Sequence, residues 1–390
     1  MINTQIKESI KNNSDELTQL RRKLHSEPEL SFEEYKTTEF ICNYLDNLGI
    51  SYRKTEPTGV VAEIHGKTDG KTVALRGDMD ALSVQQLNNV PYASNIEGKM
   101  HACGHDAHTS MLLIAAKALS EVKEQLPGKV RLLFQPAEEI AQGAQAMVDQ
   151  GAMEGVDNVF GIHIWSQMPT SKVSCSPGPS FAAADLFTVK FKGRGGHGAI
   201  PEACIDAALV ASSFVMNVQT VVSRTIDPQS PAVLTIGKMV VGTRFNVIAE
   251  NAEIEGTVRT FHPETRDFIE QSIKNYADNV AAIYGATAEV VYTRGTDAVD
   301  NEEESAKLVQ QVATEAFGSE SVYDEKPTMG GEDFSAFLTK APGSFALVGC
   351  GNPEKDTEWA HHHGNFNIDE DSLVTGAELY AQYAWAYLNK

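Results

Sequence analysis

The densest chemistry in this chain lies in eight residues, His101-Ala-Cys-Gly-His-Asp-Ala-His108. One thiol and three imidazoles are borderline-soft donors, suited to Zn²⁺, Co²⁺, Ni²⁺ or Mn²⁺ when carboxylates complete the shell. Cys103 and His105 stand two positions apart, so both can face one ion from a loop but not from a helix. The plainer reading is a polar helix cap, with His105 or Asp106 capping and Cys103 a small buried residue. Glu138 and Glu139 follow a strand-like run and a proline, where a solvated acidic turn is the plain explanation. Adjacent carboxylates on a turn point apart, however. One can bind a cation while its neighbour takes a proton from water.

The remaining polar groups are less specific. His163 interrupts the apolar run Val159–Trp165, where a lone histidine is more often a satisfied core residue than a ligand. The triplet His361, His362, His363 cannot all face one ion and reads equally as a polar turn. His101 and His108 are open to a supporting or structural role. Gly193-Arg-Gly-Gly-His197-Gly lacks the Lys-Ser/Thr of a phosphate-binding loop, so sharp turns presenting a histidine across a cleft are the better reading. Asn246 and Arg259 are individually ambiguous and read first as surface or structural residues.

These segments need a scaffold that gathers them. Two amphipathic helices are expected over residues 1–50, the second from about Phe32 to Leu48 with a stop at Gly49. Short β-rich runs follow at Gly59–Ile64 and Thr72–Leu75, then a helix over about Asp106–Glu124 and strands at Lys129–Phe134 and Asn158–Ile164. This alternation predicts an α/β layer with a largely parallel sheet, whose strand ends line a ligand crevice. Ser176-Pro-Gly-Pro-Ser180 is a composition break and a hinge. Beyond it the rhythm becomes β-α-β-β-α-β, the ferredoxin-like split unit: Leu186–Lys192, about Ile205–Val222, Ala232–Met239, Ala252–Thr260, about Pro263–Tyr284 and Ala288–Tyr292. After Gly295 the first pattern resumes, with a helix near Glu304–Phe317, a strand at Ser344–Val348 and a helix from about Asp371 to Leu388. A discontinuous catalytic domain, residues 1–182 and 295–390, is expected to carry an inserted lid or dimerisation domain, residues 183–294. Two hinge crossings favour a cleft that opens and closes.

Bulk properties narrow the partners. A chain of 390 residues with 42% hydrophobic residues can bury a sizeable core without disulfides or metal. The formal net charge of −21 repels phosphate backbones and anionic lipid, which argues against nucleic acid and membrane as partners. Five scattered cysteines, Cys42, Cys103, Cys175, Cys204 and Cys350, form no disulfide framework and suit a reducing compartment. The polar N-terminal stretch has no apolar signal-peptide core, and a cytoplasmic location is expected.

Taken in order, Arg76-Gly-Asp-Met-Asp-Ala-Leu, the Cys-Gly-His-Asp segment at 103–106, Gln135-Pro-Ala-Glu-Glu, Gly193-Arg-Gly-Gly-His, Asn246-Val-Ile, Gly256-Thr-Val-Arg-Thr and Gly330-Gly-Glu-Asp-Phe resemble the amidohydrolase branch of the aminoacylase/carboxypeptidase metallopeptidase family. That branch includes hippurate hydrolases, N-acetyl-amino-acid deacetylases and indole-acetyl-amino-acid hydrolases. The resemblance implies a zinc-exopeptidase-like three-layer α/β catalytic domain with the ferredoxin-like lid inserted. It also implies two divalent metal ions per subunit (Mn, Zn, Co or Ni), held by residues matching Cys103, His105, Glu139, His163 and His362. Gly364 stands at the family's proline position, so His363 is the alternative for the last ligand. Glu138 matches the general base, and Asp80 and Asp106 would orient ligands. His197 and Asn246 match residues that assist at the substrate carbonyl, and Arg259 is assigned to a substrate carboxylate.

The implied reaction is hydrolysis of the amide bond of N-acyl amino acids or dipeptide-like substrates by metal-activated water. A homodimer or tetramer through the lid is also expected. Two other classes stay open. Cys103 as a thiol nucleophile with His105 as base predicts activity in the presence of chelator. A non-catalytic metal- or peptide-binding protein would have no need of Glu138.

Overall fold

The computed structural model describes residues 2–390. The chain opens with helices α1 (Ile2–Asn12), α2 (Ser14–Ser26) and α3 (Tyr35–Leu48). Three helices stand where two were expected, because the chain breaks at Asn13, whose Nδ2 donates to the Ser9 carbonyl at 2.7 Å. The third starts later than expected because Phe32 takes a left-handed conformation, φ 62°. It ends where expected, on Gly49 at φ 65°.

Strands β1 (Ser51–Lys54), β2 (Val60–His65) and β3 (Thr72–Asp78) follow, then α4 (His105–Glu121), β4 (Lys129–Gln135), α5 (Gly143–Asp149), β5 (Asn158–Pro169), β6 (Val173–Ser174) and β7 (Gly178–Phe181). Next come β8 (Ala183–Lys192), β9 (Gly196–His197), α6 (Ala207–Thr220), β10 (Ala232–Val241), β11 (Val247–Ile248), β12 (Asn251–Thr260), α7 (Pro263–Tyr284) and β13 (Thr287–Arg294). The chain closes with β14 (Val299–Asn301), α8 (Glu303–Phe317), α9 (Ser335–Leu338), β15 (Gly343–Gly351) and α10 (Ser372–Leu388).

Two compact units result. The first runs through Ser180 and resumes at Val299–Lys326 and Asp333–Lys390; the second is Phe181–Ala298 with Pro327–Glu332. The first is built on a seven-stranded sheet ordered β1-β2-β4-β3-β5-β15-β6. Its four central strands are parallel and its outer ones antiparallel. Helix α4 is buried on nearly every side, including its polar first turn His105–Ser110, which is why its apolar pattern is not one-sided. Strand β3 runs three residues beyond the expected end: Arg76, Gly77 and Asp78 pair with Leu133, Phe134 and Gln135. A buried arginine is tolerated there because Asp78 lies at 2.6 Å, Gln135 Oε1 accepts from it at 2.7 Å and Asp333 at 3.3 Å.

The second unit is a four-stranded antiparallel sheet, order β10-β12-β8-β13, with its own apolar core shared with α6 and α7. Strand β8 alternates buried and open positions along its length, as a sheet covered on one face requires. Order and direction are those of the ferredoxin-like unit read from the sequence.

Candidate metal centre

The centre is assembled at the ends of the parallel strands of the first unit. Cys103 lies in the loop before α4 and His105 is the first residue of that helix. Gly104 between them turns the chain at φ 94°, and a Cβ there would come within 2.4 Å of Ile164 Cδ1. The turn separates loop from helix, so the two side chains face the same space. His163 projects from β5, and Glu138 and Glu139 from the turn after β4.

The distances fit a shared cation. Cys103 Sγ lies 3.4 Å from His163 Nε2, across 60 residues of sequence. His105 Nε2 is 3.8 Å from Glu139 Oε1, and His362 Nε2 is 3.5 Å from Glu139 Oε2. Metal–donor bonds of about 2.0–2.3 Å in a tetrahedral shell put donors roughly 3.3–3.8 Å apart. Ligand atoms of Cys103, His105 and His163 lie within 4.8 Å of one another, as do those of Cys103, Glu139 and His362, and those of His105, Glu138 and Glu139. His105 Nε2 and Glu139 Oε1 are shielded from solvent and have no hydrogen-bond partner among the described residues. Two buried polar atoms aimed at each other without a bond are costly unless a cation joins them.

The ring nitrogens are already assigned by their neighbours. His163 Nδ1 donates to the Ile164 carbonyl at 2.5 Å, and His105 Nδ1 faces Asp80 Oδ1 at 3.1 Å. Both leave Nε2 toward the cluster, the arrangement expected of a metal-binding imidazole. Asp80 also accepts from Ser31 Oγ at 2.7 Å and from the Glu139 backbone N–H at 3.1 Å.

Electrostatics point the same way. Burial pushes His105 down, but Asp78 and Asp80 outweigh it and raise the imidazole well above its ordinary range. Burial, reinforced by Glu139, drives the Cys103 thiol well up. Glu139 is raised by burial to about 7 despite His105. A divalent cation would displace such protons on binding.

The triplet divides. His362 takes φ 67°, its N–H donates to the Ala102 carbonyl at 2.8 Å, and its ring lies beside Glu139. His361 packs on Trp165 and Phe366 with Nδ1 3.9 Å from Cys103 Sγ. His363 stacks on Trp359, with ring centroids 4.6 Å apart. Asp106, expected to orient a ligand, is instead committed to Arg21 at 2.8 Å and His25 at 2.7 Å. Successive residues of a helix point about 100° apart, so the carboxylate next to His105 faces Arg21 and His25 of α2. Asp78 has the supporting place not foreseen from sequence: it bonds His108 Nδ1 at 2.5 Å and lies 3.7 Å from His105 Nε2. The signal for it was its place in the Arg76-Gly-Asp-Met-Asp segment, of which Asp80 alone was given a role. His108 Nε2 accepts the Ile164 N–H at 2.9 Å, and His101 is buried beside His25.

In the second unit, β9 pairs with β11 so that His197 opposes Val247, next to Asn246. The Gly198 N–H donates to the Asn246 carbonyl at 3.0 Å, and both side chains are exposed. Arg259 lies on the central strand β12, its guanidinium bonded to Thr257 Oγ1 and, at 3.1 Å, to the Val258 carbonyl. The pairing brings His197 and Asn246 to one loop cluster; Arg259 stands on the sheet.

The model of peptidase family M20/M25/M40 matches residues 74–386. An N-acetylcysteine deacetylase of Bacillus subtilis is 39% identical over 370 residues, 94% of this chain and 96% of its own length. An IAA-amino acid hydrolase, ILR1-like 2 of Arabidopsis thaliana, is 39% identical over 381 residues, 96% and 86%. The solved YXEP protein of Bacillus subtilis, a dinuclear metal binding peptidase from the M20 family, superposes with a TM-score of 0.87 at 34% identity, covering 97% of this chain and 99% of that one. With matches over nearly its whole length, the chain belongs to peptidase family M20/M25/M40 and is a hydrolase of amide bonds.

Proposed function

We propose that the protein hydrolyses the amide bond of N-acyl amino acids or small dipeptide-like substrates, with Glu138 as general base beside two divalent metal ions. Cys103, His105, Glu139, His163 and His362 would hold those ions. The observation that carries this is the meeting of a thiol, three imidazoles and a carboxylate in overlapping groups whose ligand atoms lie within 4.8 Å of one another, with Glu138 in the same group as His105 and Glu139. The relatives supply the substrate class: one acts on N-acetylcysteine and another on IAA-amino acids by their names.

Bound divalent ions supply Lewis acidity, which brings the pKa of water to about 7. Glu138 takes the proton of the attacking water and returns it to the departing amine, so one residue serves as base and then as acid. His197 and Asn246 are proposed as donors to the developing oxyanion. Arg259 is proposed to grip the free carboxylate of the amino acid. The second unit would serve as lid and as the surface for a homodimer or tetramer. The free cysteines agree with a reducing, cytoplasmic setting.

Against a thiol nucleophile stands the raised Cys103, which at neutral pH carries little thiolate of its own. Glu138→Gln separates the readings. Assayed on N-acetyl-, N-benzoyl- and dipeptide panels, it should lose about 10³-fold or more in kcat and keep its metal. Full turnover in Glu138→Gln would end the base assignment.

A further inference from the structure

The turn that carries Glu138 is pinned on both sides by buried carboxylates. The Glu139 N–H donates to Asp80, as described above. On the other side, the Ala137 N–H donates to Glu34 Oε1 at 2.9 Å, and Glu34 Oε2 accepts from Thr58 Oγ1 at 2.7 Å. Glu34 is 0% exposed, an unusual place for a carboxylate that pairs with no cation among the described residues. Ala137 is left-handed at φ 54° and Ala141 at φ 55°, so this turn is held in a conformation that non-glycine residues rarely adopt. Such strain persists only where the surroundings over-determine it. The two carboxylates are themselves tied, since Ser31, three residues before Glu34, donates to Asp80.

We propose that Glu34 is a positioning residue, which fixes the strained Ala137 peptide and thereby aims the Glu138 carboxylate. Anchoring the amides at positions 137 and 139 fixes the backbone on either side of Glu138, which sets its Cα–Cβ direction. The reading of Glu138 as general base is the premise of the catalytic half of this inference; the structural half stands without it.

The test uses the metal-loaded enzyme. In Glu34→Ala, hydrogen exchange at the Ala137 amide should quicken at least about tenfold while the interior of α4 is unchanged. Its kcat should fall about 10- to 100-fold with KM within about threefold and metal content intact. Glu34→Gln keeps an acceptor for Ala137 and can donate to Thr58 Oγ1, so it should restore kcat to within about threefold. Unaltered exchange at Ala137, or wild-type kcat in Glu34→Ala, overturns the proposal. So does loss of metal parallel to loss of turnover. If Glu34→Ala does not fold, Thr58→Val decides by the same exchange measurement: faster exchange supports the proposal and no change overturns it. A wild-type enzyme inactive on every N-acyl amino acid would sink the proposed function instead, and the exchange at Ala137 would still decide this one.

Discussion

Asp80 Oδ1 lies 3.1 Å from His105 Nδ1 while the other oxygen of the same carboxylate receives the Glu139 N–H at 3.1 Å. One buried side chain thus orients a ring and a turn that supply two neighbouring donors of the cluster. Loss of such support typically costs about 10- to 100-fold in metal affinity. Asp80→Ala should show a loss of that size in titration against a competing chelator, with secondary structure unchanged by circular dichroism.

The triplet gives a second expectation. Only His362 has its ring beside Glu139, whereas His363 stacks on Trp359. His362→Ala should bind about one metal ion per chain fewer by elemental analysis, and His363→Ala should match wild type. Equal loss in both would mean that the triplet is read in the wrong register.

Stability of the second unit should depend on pH through Asp185. Arg266 contacts both of its oxygens, at 2.5 and 2.8 Å, and Tyr292 donates at 2.7 Å. Burial alone would raise this carboxylate, but Arg266 and Tyr292 hold it below the usual range. A depressed folded value means the contribution is complete above the unfolded pKa of about 4 and is lost as pH falls through the folded value. Asp185→Asn should therefore cost about 1.5–3 kcal/mol at pH 7 and progressively less below pH 4, measured by urea unfolding. A cost that is flat with pH would contradict the pairing.

Gly104 offers a steric test. An alanine there needs a positive φ and meets Ile164 Cδ1. Gly104→Ala should destabilise by about 1–3 kcal/mol and weaken metal binding, since Cys103 and His105 flank it. Pairing it with Ile164→Ala should relieve the clash but not the backbone strain.

Much of this was legible in the sequence, and for identifiable reasons. Regular periodicity and end signals placed α7, whose Pro263 start and Gly285 stop are local. The order of the ferredoxin-like unit followed from the same cues. What escaped was set by distant contacts. The extension of β3 through Arg76 depends on Asp333, 257 residues away. The commitment of Asp106 to Arg21 and His25 rests on α2 packing against α4, which no spacing near residue 106 records. Phe32 and Ala137 adopt left-handed conformations that their residue types disfavour. The Cys-Gly-His run, by contrast, carried its own geometry, because Gly104 is the residue that permits the turn.

The most direct check of the metal-centred account is turnover and metal content measured on one preparation, before chelation, after chelation and after re-addition of Mn²⁺, Co²⁺ or Zn²⁺. About two ions per chain are expected at the start, with turnover vanishing as they are stripped and returning as they are restored. Undiminished hydrolysis by a fully stripped protein would contradict it.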